Sequence, residues 1–414
     1  MSAGTTRQDA RPADAGAWRA GNRVQLLENG EEFFARAFEV IARARREILI
    51  ETFILFEDNV GMALRQHLVA AAQRGVRVEV TVDGYGSPNF SAPYLAALTA
   101  AGVHLRVFDP HRTLFGIRLH VFRRLHRKLL VVDGERAFVG GINFSADHLD
   151  DFGAGAKQDY AVELQGPIVA DIHDFMRTAL DGDGSGEDWR RSRQRSGIAP
   201  AGDASVLFAL RDNRRHSRTI EAEYRRAIRA ARRDVLIANA YYFPGYWFLR
   251  DLRQAAQRGV AVTLVLQGEA DSRIALTAAR LLYRHLLEGG VRIHEYCRRP
   301  FHGKVAAIDD DWATVGSSNL DPLSLSLNLE ANVFIRDPAF ARELRTRLAG
   351  LMQRDCRVID RERLPPQRGW HVLGRPLLFH CLRRFPAWAG LLPAHTPKTA
   401  LLQPPADSDA TGRP

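Results

Sequence analysis

The spacing of apolar and polar residues predicts helices that alternate with strands. The stretches VRVEVTVDG from Val76 and VAVTLVLQG from Val260 have the two-residue period of a strand. Each of them follows a stretch whose apolar residues recur at helical spacing. Helices interleaved with short strands are typical of α/β layers built around a mostly parallel sheet.

The two halves of the chain carry the same series of segments. The hexapeptide Ala-Ala-Gln-Arg-Gly-Val occurs at residues 71–76 and again at residues 255–260. Upstream of it, ARREILIETFI in the first half parallels ARRDVLIANAY in the second, and downstream AGVHLRVFD parallels GGVRIHEYC. A repeat of about 180 residues is too long for a solenoid, so the sequence predicts a duplicated domain.

Changes in composition predict the boundaries of these halves. Residues 1–20 and 399–414 are polar and aperiodic, which predicts disordered tails. Residues 181–204 are rich in Gly, Ser, Arg and Pro, which predicts an exposed linker or loop. The remaining segments are two halves and a basic, aromatic segment, at residues 21–180, 205–375 and 376–398.

Each half ends in one pattern of polar residues, His-x-Lys-x4-Asp-x6-Gly-x2-Asn. The pattern comprises His126, Lys128, Asp133 and Asn143 in the first half, and His302, Lys304, Asp309 and Asn319 in the second. Only four of the 58 basic residues are lysines, and two of those four lie in these patterns. Because the pattern recurs at corresponding places in the two halves, the probability of a chance match is negligible.

The spacing within the pattern suits the binding of a phosphate. A histidine and a lysine two residues apart on a strand point to the same face, so both can reach one anion. The imidazole is then a candidate nucleophile or general acid, and the ammonium binds a phosphate oxygen. The asparagine adds an amide donor, and in the second half Ser317 and Ser318 add hydroxyl donors.

The aspartates of the pattern, Asp133 and Asp309, admit two interpretations. Their place in the pattern groups them with the catalytic residues. Seven residues after the histidine, however, each can face away from the site and tie a turn together, which is the favoured interpretation. Neither pattern suits a metal, because one His and one Asp stand beside a lysine that repels a cation. We therefore expect no cofactor.

The cysteines are consistent with that expectation. Cys297, Cys356 and Cys381 lie far apart and form no CxxC pair, which argues against a zinc site and suggests a reduced compartment.

One half cannot carry out phosphoryl transfer alone. Two halves around a pseudo-twofold axis would place two histidines and two lysines around one phosphate. One histidine would attack phosphorus to form a phosphohistidine, and the other would protonate the departing alkoxide. The pattern leaves open which histidine is the nucleophile, with a slight preference for His126.

Two carboxylates are candidates to hold these imidazoles in the required tautomer. Asp159 and Glu330 follow their respective patterns on alternating strands. The alternative interpretation is that both are ordinary carboxylates at the edges of strands.

The paired patterns resemble the phospholipase D superfamily, whose signature is a duplicated HxKx4D motif. The resemblance covers roughly residues 22–397. The flanking segments ETFILFEDNVG, FVGGINFSADHLDDFG and VGSSNLDPLSLSLNLEANVF resemble bacterial cardiolipin synthases, in particular the B type that lacks amino-terminal membrane helices. The resemblance implies a duplicated α/β/α sandwich with one shared active site. It also implies phosphatidyl transfer from one phosphatidylglycerol to another, with release of glycerol.

The charge of the chain agrees with an anionic partner. The formal net charge is +10 and the pI is about 9.9, which favours nucleic acid, anionic lipid or phosphorylated small molecules. The chain has no run of about 18 apolar residues, so the sequence predicts no membrane span.

Two basic, aromatic stretches, at residues 111–127 and 376–392, predict contact with an anionic membrane. The alternative for each is a helix with one buried face. With the family resemblance, we expect a peripheral protein on the cytoplasmic face of a bacterial inner membrane, bound to phosphatidylglycerol and cardiolipin and not to nucleic acid.

Three other functions remain compatible with the motifs. A phospholipase D would use water as the acceptor, and acceptor choice depends on water exclusion rather than on the motif. A nuclease of the same superfamily would bind DNA by counterion release. A non-catalytic module would keep the motifs only to bind phosphate.

Overall fold

The computed structural model describes residues 16–87, 90–110, 124–181, 197–212, 216–268, 273–321, 328–364 and 399–402, and the backbone of two short strands between residues 110 and 124. The strands are β1 Arg19–Glu28, β2 Glu47–Thr52, β3 Arg77–Asp83, β4 His104–Phe108, β5 Thr113–Leu114, β6 Ile117–Arg118, β7 Leu129–Val132, β8 Arg136–Gly140, β9 Tyr160–Gln165, β10 Ala204–Arg211, β11 Asp234–Asn239, β12 Ala261–Gln267, β13 Arg292–Tyr296, β14 Lys304–Ile308, β15 Trp312–Gly316, β16 Glu330–Arg336, β17 Cys356–Val358 and β18 Thr399–Leu401. The helices are α1 Asn29–Ala42, α2 Asn59–Gln73, α3 Ala92–Ala100, α4 Ile168–Asp181, α5 Thr219–Ala230, α6 Tyr246–Gln257, α7 Arg273–Glu288 and α8 Pro338–Asp355.

The predicted duplication and the α/β class are confirmed. Strands β2, β3 and β4 are parallel in the first half, as are β11, β12 and β13 in the second. The repeated hexapeptide forms the same helix-to-strand turn twice. In it Gly75 and Gly259 adopt φ values of +87° and +90°, which glycine adopts at little cost.

The sheet is less parallel than the pattern predicts. In each half the parallel strands continue into antiparallel ones, in the order β2-β7-β8-β9-β1 and β11-β14-β15-β16-β10. The reason is the short connection after each HxK motif. Strands β7 and β8 are joined by a tight turn at Asp133 and Gly134, and a tight turn can join only antiparallel strands.

The two halves meet through their antiparallel strands. Strand β1 pairs with β10, which joins the halves into one sixteen-stranded sheet, and β8 and β9 contact β15 and β16. Apolar residues of both halves form one cluster there with helices α4 and α8, including Val131, Val139, Val315, Val333 and Phe175. The motifs at the ends of these strands are thereby brought together.

Two predicted boundaries differ from the structure. Strand β18 pairs with β4, so residues 399–401 are not a disordered tail. At the other end Trp18 packs on the second half, with the Arg336 guanidinium 4.5 Å from its ring centroid. The other residues of the predicted tails (1–15 and 403–414), the central part of the linker (182–196) and the whole basic, aromatic segment (376–398) lie outside the described residues.

The predicted membrane stretches are described only in part. The stretch at 376–392 and residues 111–123 lie outside the described residues, apart from the backbone of β5 and β6. Residues 124–127 are buried, so this end of the first stretch does not contact a membrane. No described helix is both long and apolar enough to cross a bilayer.

Candidate active site

Backbone hydrogen bonds tie each HxK motif to the opposite half. In the first half, the amide of His126 donates to the carbonyl of Leu329 at 3.0 Å. In the second half, the amide of His302 donates to the carbonyl of Gln158 at 2.8 Å. Leu329 and Gln158 directly precede Glu330 and Asp159. Each histidine is therefore held beside the carboxylate that belongs to the other half.

The side chains of the histidines also pair with the opposite half. His126 Nδ1 lies 3.0 Å from Glu330 Oε2, and His302 Nδ1 lies 2.6 Å from Asp159 Oδ2. His126, Asp159 and Glu330 are buried, and the His302 side chain is 12% exposed. A proton on Nδ1 shared with a carboxylate leaves the lone pair on Nε2, which is the form needed by a nucleophile or a proton acceptor. The structure therefore pairs the two predicted carboxylates with the two histidines, but across the halves.

The lysines create one cationic region from both halves. Lys128 Nζ donates to the carbonyl of His126 at 2.8 Å, and Lys304 Nζ donates to the carbonyl of His302. Burial and the charge of Lys304 together lower the pKa of Lys128 to about 7, against the opposing effect of Glu330. Lys304 also lowers the pKa of His126, and Lys128 that of His302. The two half-sites thus share one electrostatic environment, which favours an anion.

Burial sets the protonation states of the site. It lowers the pKa of His126, against the opposing effect of Glu330, and it lowers the pKa of His302 well below the usual value. Burial also raises the pKa of Asp159 to about 6, although Lys304 opposes this shift. At neutral pH the site consequently holds neutral imidazoles beside an ionised aspartate.

The motif aspartates lie away from this region. Asp133 accepts the amides of residues 45–47 at 2.7 to 2.9 Å, and Asp309 accepts those of residues 232–234. Their φ values are +57° and +49°. Strand β7 lies between Lys128 and Asp133, and Lys304 and Asp309 lie at opposite ends of strand β14. Both therefore tie a turn to a neighbouring strand, and their grouping with the catalytic residues rests on the motif alone.

The predicted phosphate donors are largely used within the protein. The Ser317 hydroxyl donates to Glu330 and accepts the amide of Ala331 at 3.1 Å. The Ser318 hydroxyl donates to the carbonyl of Asn319 at 3.4 Å. In the first half Asn143 Oδ1 accepts the amide of Ile54 at 3.2 Å. Ser317 thus contacts the carboxylate that holds His126.

Two neighbours of the histidines are not evident from the sequence. Phe53 covers the first motif, with its ring centroid 4.9 Å from that of His126 and 5.3 Å from Lys128 Nζ. His148 lies edge-on to His302, with ring centroids 5.8 Å apart, and is fully buried. Neither has a sequence signal, because Phe53 directly follows the apolar strand β2 and His148 ends a single 3-10 turn, residues 146–148.

Among the described residues, one group has the composition of a metal site. The donor atoms of His148, Asp159 and His302 lie within 4.8 Å of one another. Two of these residues already bind each other, since the Asp159 carboxylate contacts His302 Nδ1. The charge of Lys304 also acts on His302 and on Asp159. The group therefore does not suit a cation.

The fold has relatives among solved structures. Phosphatidylserine synthase of Haemophilus influenzae Rd KW20 superposes with a TM-score of 0.67 at 14% identity, over 91% of this chain and 97% of that chain. Polyphosphate kinase of Porphyromonas gingivalis superposes with a TM-score of 0.56 at 16% identity, over 88% of this chain and 53% of that one. A duplicated α/β fold with two HxK motifs at one shared site defines a phospholipase D-like protein.

Sequence comparison defines the family within this class. The family model described as "Cardiolipin synthase, PLD-like domain" matches residues 38–172 and 224–352. Cardiolipin synthase B of Salmonella typhi is 52% identical over 95% of both chains, and that of Escherichia coli K12 is 53% identical over 94% of both. Cardiolipin synthase A of Pseudomonas putida GB-1 is 33% identical over 78% of this chain and 67% of its own. The chain belongs to the cardiolipin synthase family.

Proposed function

We propose that this protein is a cardiolipin synthase that transfers a phosphatidyl group from one phosphatidylglycerol to another, giving cardiolipin and glycerol. The observation that carries the proposal is the crossed pairing of His126 with Glu330 and of His302 with Asp159 around two lysines. The identity of 52% to a cardiolipin synthase B over 95% of both chains supports this substrate class.

The reaction proceeds in two displacements at phosphorus. In the first, Nε2 of one neutral histidine attacks phosphorus and the bond to the glycerol oxygen breaks. The other histidine, which takes up a proton on Nε2 when the phosphodiester anion binds, donates that proton to the departing oxygen. In the second, a hydroxyl of another phosphatidylglycerol gives its proton to that second histidine. Its oxygen attacks phosphorus, and the N–P bond breaks. One phosphodiester replaces another, so the reaction needs no nucleotide and runs in both directions.

The surrounding residues stabilise these steps without a metal. The carboxylates of Asp159 and Glu330 hold Nδ1–H of each imidazole, so that Nε2 faces phosphorus. The lysines, with Asn143 and Asn319, balance the charge that develops on the phosphate oxygens.

Exposed aromatic residues support contact with a lipid surface. Tyr246 and Trp247 begin helix α6, just beyond the end of β11 whose Asn239 pairs with Lys304. They are 50% and 49% exposed, and the Arg250 guanidinium lies 5.3 Å from the Trp247 ring centroid. Aromatic rings beside an arginine suit the interface of an anionic bilayer. The proposed location is the cytoplasmic face of the bacterial inner membrane.

Vesicles of labelled phosphatidylglycerol test the proposal. We expect cardiolipin and glycerol as products, with undiminished turnover in EDTA. Adding excess glycerol to cardiolipin vesicles should regenerate phosphatidylglycerol. Phosphatidic acid as the main product under all acceptor conditions would make the protein a phospholipase. Cleavage of plasmid DNA in a parallel reaction, with no lipid product, would make it a nuclease.

A further inference from the structure

The two carboxylates that hold the histidines receive different support. Glu330 accepts the hydroxyl of Ser317, which is itself anchored by the amide of Ala331. The residue that corresponds to Ser317 in the first half is Gly141, since each follows the last glycine of β8 or β15. Gly141 has no hydroxyl to donate. Asp159 accepts the backbone amide of Tyr160 at 2.8 Å, but it has no hydroxyl donor like the one that its counterpart has.

A serine in place of Gly141 would not supply this donor either. A Cβ atom at Gly141 would lie 2.3 Å from Asp159 Oδ1, so a serine does not fit in the present arrangement. The carboxylate of Asp159 instead occupies the space next to the glycine. Any further donor to Asp159 must come from another part of the chain.

His148 lies near the same carboxylate. Its Nδ1 is 3.9 Å from Asp159 Oδ2, and the atom has no hydrogen-bond partner among the described residues. The loop that carries it is longer than its counterpart, because Asp159 follows Asn143 by 16 positions whereas Glu330 follows Asn319 by 11. His148 lies in this longer segment of the first half.

The tautomer of His148 follows from its other contact. The backbone amide of Asn143 donates to His148 Nε2 at 3.2 Å, so Nε2 carries the lone pair. Burial lowers the pKa of His148 to about 3, which keeps the ring neutral. The single ring proton must then lie on Nδ1, facing Asp159.

We propose that His148 is a positioning residue for His302, and that its Nδ1–H gives Asp159 the support that the Ser317 hydroxyl gives Glu330. A displacement of about one ångström brings the N–H within hydrogen-bond distance of the carboxylate. A neutral donor suits this place because it adds no charge beside the lysines. The inference rests on the two-histidine chemistry of the proposed function, but not on the identity of the acceptor.

The charges around Asp159 set the sign of the expected pH effect. His302, Lys128, Lys157 and Lys304 face the carboxylate, and Asp147 lies next to His148 with its Oδ1 3.8 Å from Nε2. A donor stabilises the ionised form of Asp159 and opposes the effect of burial. Removing the N–H while the other groups remain must therefore raise the pKa of Asp159.

Two substitutions at His148 separate a donor from a merely space-filling ring. His148→Phe keeps the ring and loses the donor, whereas His148→Asn keeps an amide donor near the position of Nδ1. We expect His148→Phe to lower kcat roughly 10- to 100-fold and to move the acidic limb of the kcat profile to higher pH. His148→Asn should restore much of kcat and much of the wild-type pH profile. Counting total phosphodiester cleavage, whatever the acceptor, keeps this test independent of the product.

The control is His173→Phe, which removes an imidazole that contacts Glu47 on the far side of the first half. It should leave kcat and the pH profile unchanged. Equal activity of wild type and His148→Phe would overturn the proposal. If His148→Phe does not fold, nitrogen-15 NMR of the histidines in the wild-type protein decides. A proton on Nδ1 of His148 supports the proposal, and a proton on Nε2 overturns it.

Discussion

We expect the ionisation of Asp159 to limit activity at low pH. Burial raises its pKa to about 6, and its ionised form accepts the Nδ1 proton of His302. Lowering the pH through this value neutralises the carboxylate and releases the imidazole. We therefore expect kcat to fall below an apparent pKa near 6. The measurement is kcat against pH with saturating lipid, and a profile flat down to pH 5 would contradict it.

The motif aspartates should affect stability rather than chemistry. Asp133 accepts three backbone amides at a φ of +57°, a conformation that alanine adopts poorly. We expect Asp133→Ala to lower the free energy of unfolding by about 2–4 kcal/mol, with kcat of the folded enzyme nearly unchanged. Asp133→Asn, which tolerates this backbone and keeps one acceptor, should cost less. Denaturant titration measures the first quantity, and a kcat reduced a thousandfold in a folded protein would favour a catalytic role.

The sequence predicts the residues of the site better than it predicts their partners. The histidines, lysines and the two carboxylates stand out by repetition along the chain. The pairing of Asp159 with His302 does not, because 143 positions separate them and only the packing of the halves brings them together. His148 has no counterpart in the second half, so no repeated pattern marks it.

At the level of elements, a buried ion pair distinguishes the two motif strands. Arg127 lies between His126 and Lys128, donates to both carboxylate oxygens of Glu51 at 2.7 and 3.3 Å, and is 1% exposed. Its guanidinium lies 4.8 Å from the Phe175 ring centroid, so the pair connects β2 and β7 with helix α4. The second half has Gly303 in place of this arginine.

Removing one member of this pair should destabilise the first half. Arg127→Met leaves the Glu51 carboxylate buried without its main partner, and we expect a loss of about 3–5 kcal/mol in the free energy of unfolding. Arg127→Met combined with Glu51→Leu should recover most of that loss, because neither charge then remains. Wild type, Arg127→Met, Glu51→Leu and the double variant are compared by chemical denaturation. Additive losses in the double variant would show that the two side chains are not coupled.

Local sequence patterns predict the strands whose own residues favour a strand. They do not predict strands that form only by pairing with a distant part of the chain. The alternating stretches from Val76 and Val260 form strands β3 and β12 as expected. The three residues of β18 carry no strand pattern of their own and are ordered by pairing with β4. The mixed sheet likewise follows from the tight turn at Asp133. The motif includes this turn, but the motif residues do not indicate the geometry of the turn.

At the scale of the whole molecule, the exposed aromatics at the start of α6 should contribute to membrane binding. Tyr246→Ser with Trp247→Ser should weaken binding to phosphatidylglycerol vesicles about tenfold, or roughly 1.4 kcal/mol. Val358→Ser is the matched control, since Val358 on β17 is 53% exposed. Co-sedimentation measures both. Equal binding of the double variant and wild type would remove these aromatics from the contact.

The central claim is that one phosphoryl site is shared between the halves, and single histidine variants test it most directly. Each of His126→Ala and His302→Ala removes one of the two groups that both displacements require, so neither should form cardiolipin from labelled phosphatidylglycerol. A mixture of the two variants should remain inactive, because each chain lacks one histidine of its only site, and near-wild-type circular dichroism and melting should show that both are folded. Substantial cardiolipin formation by either variant alone would contradict the shared site.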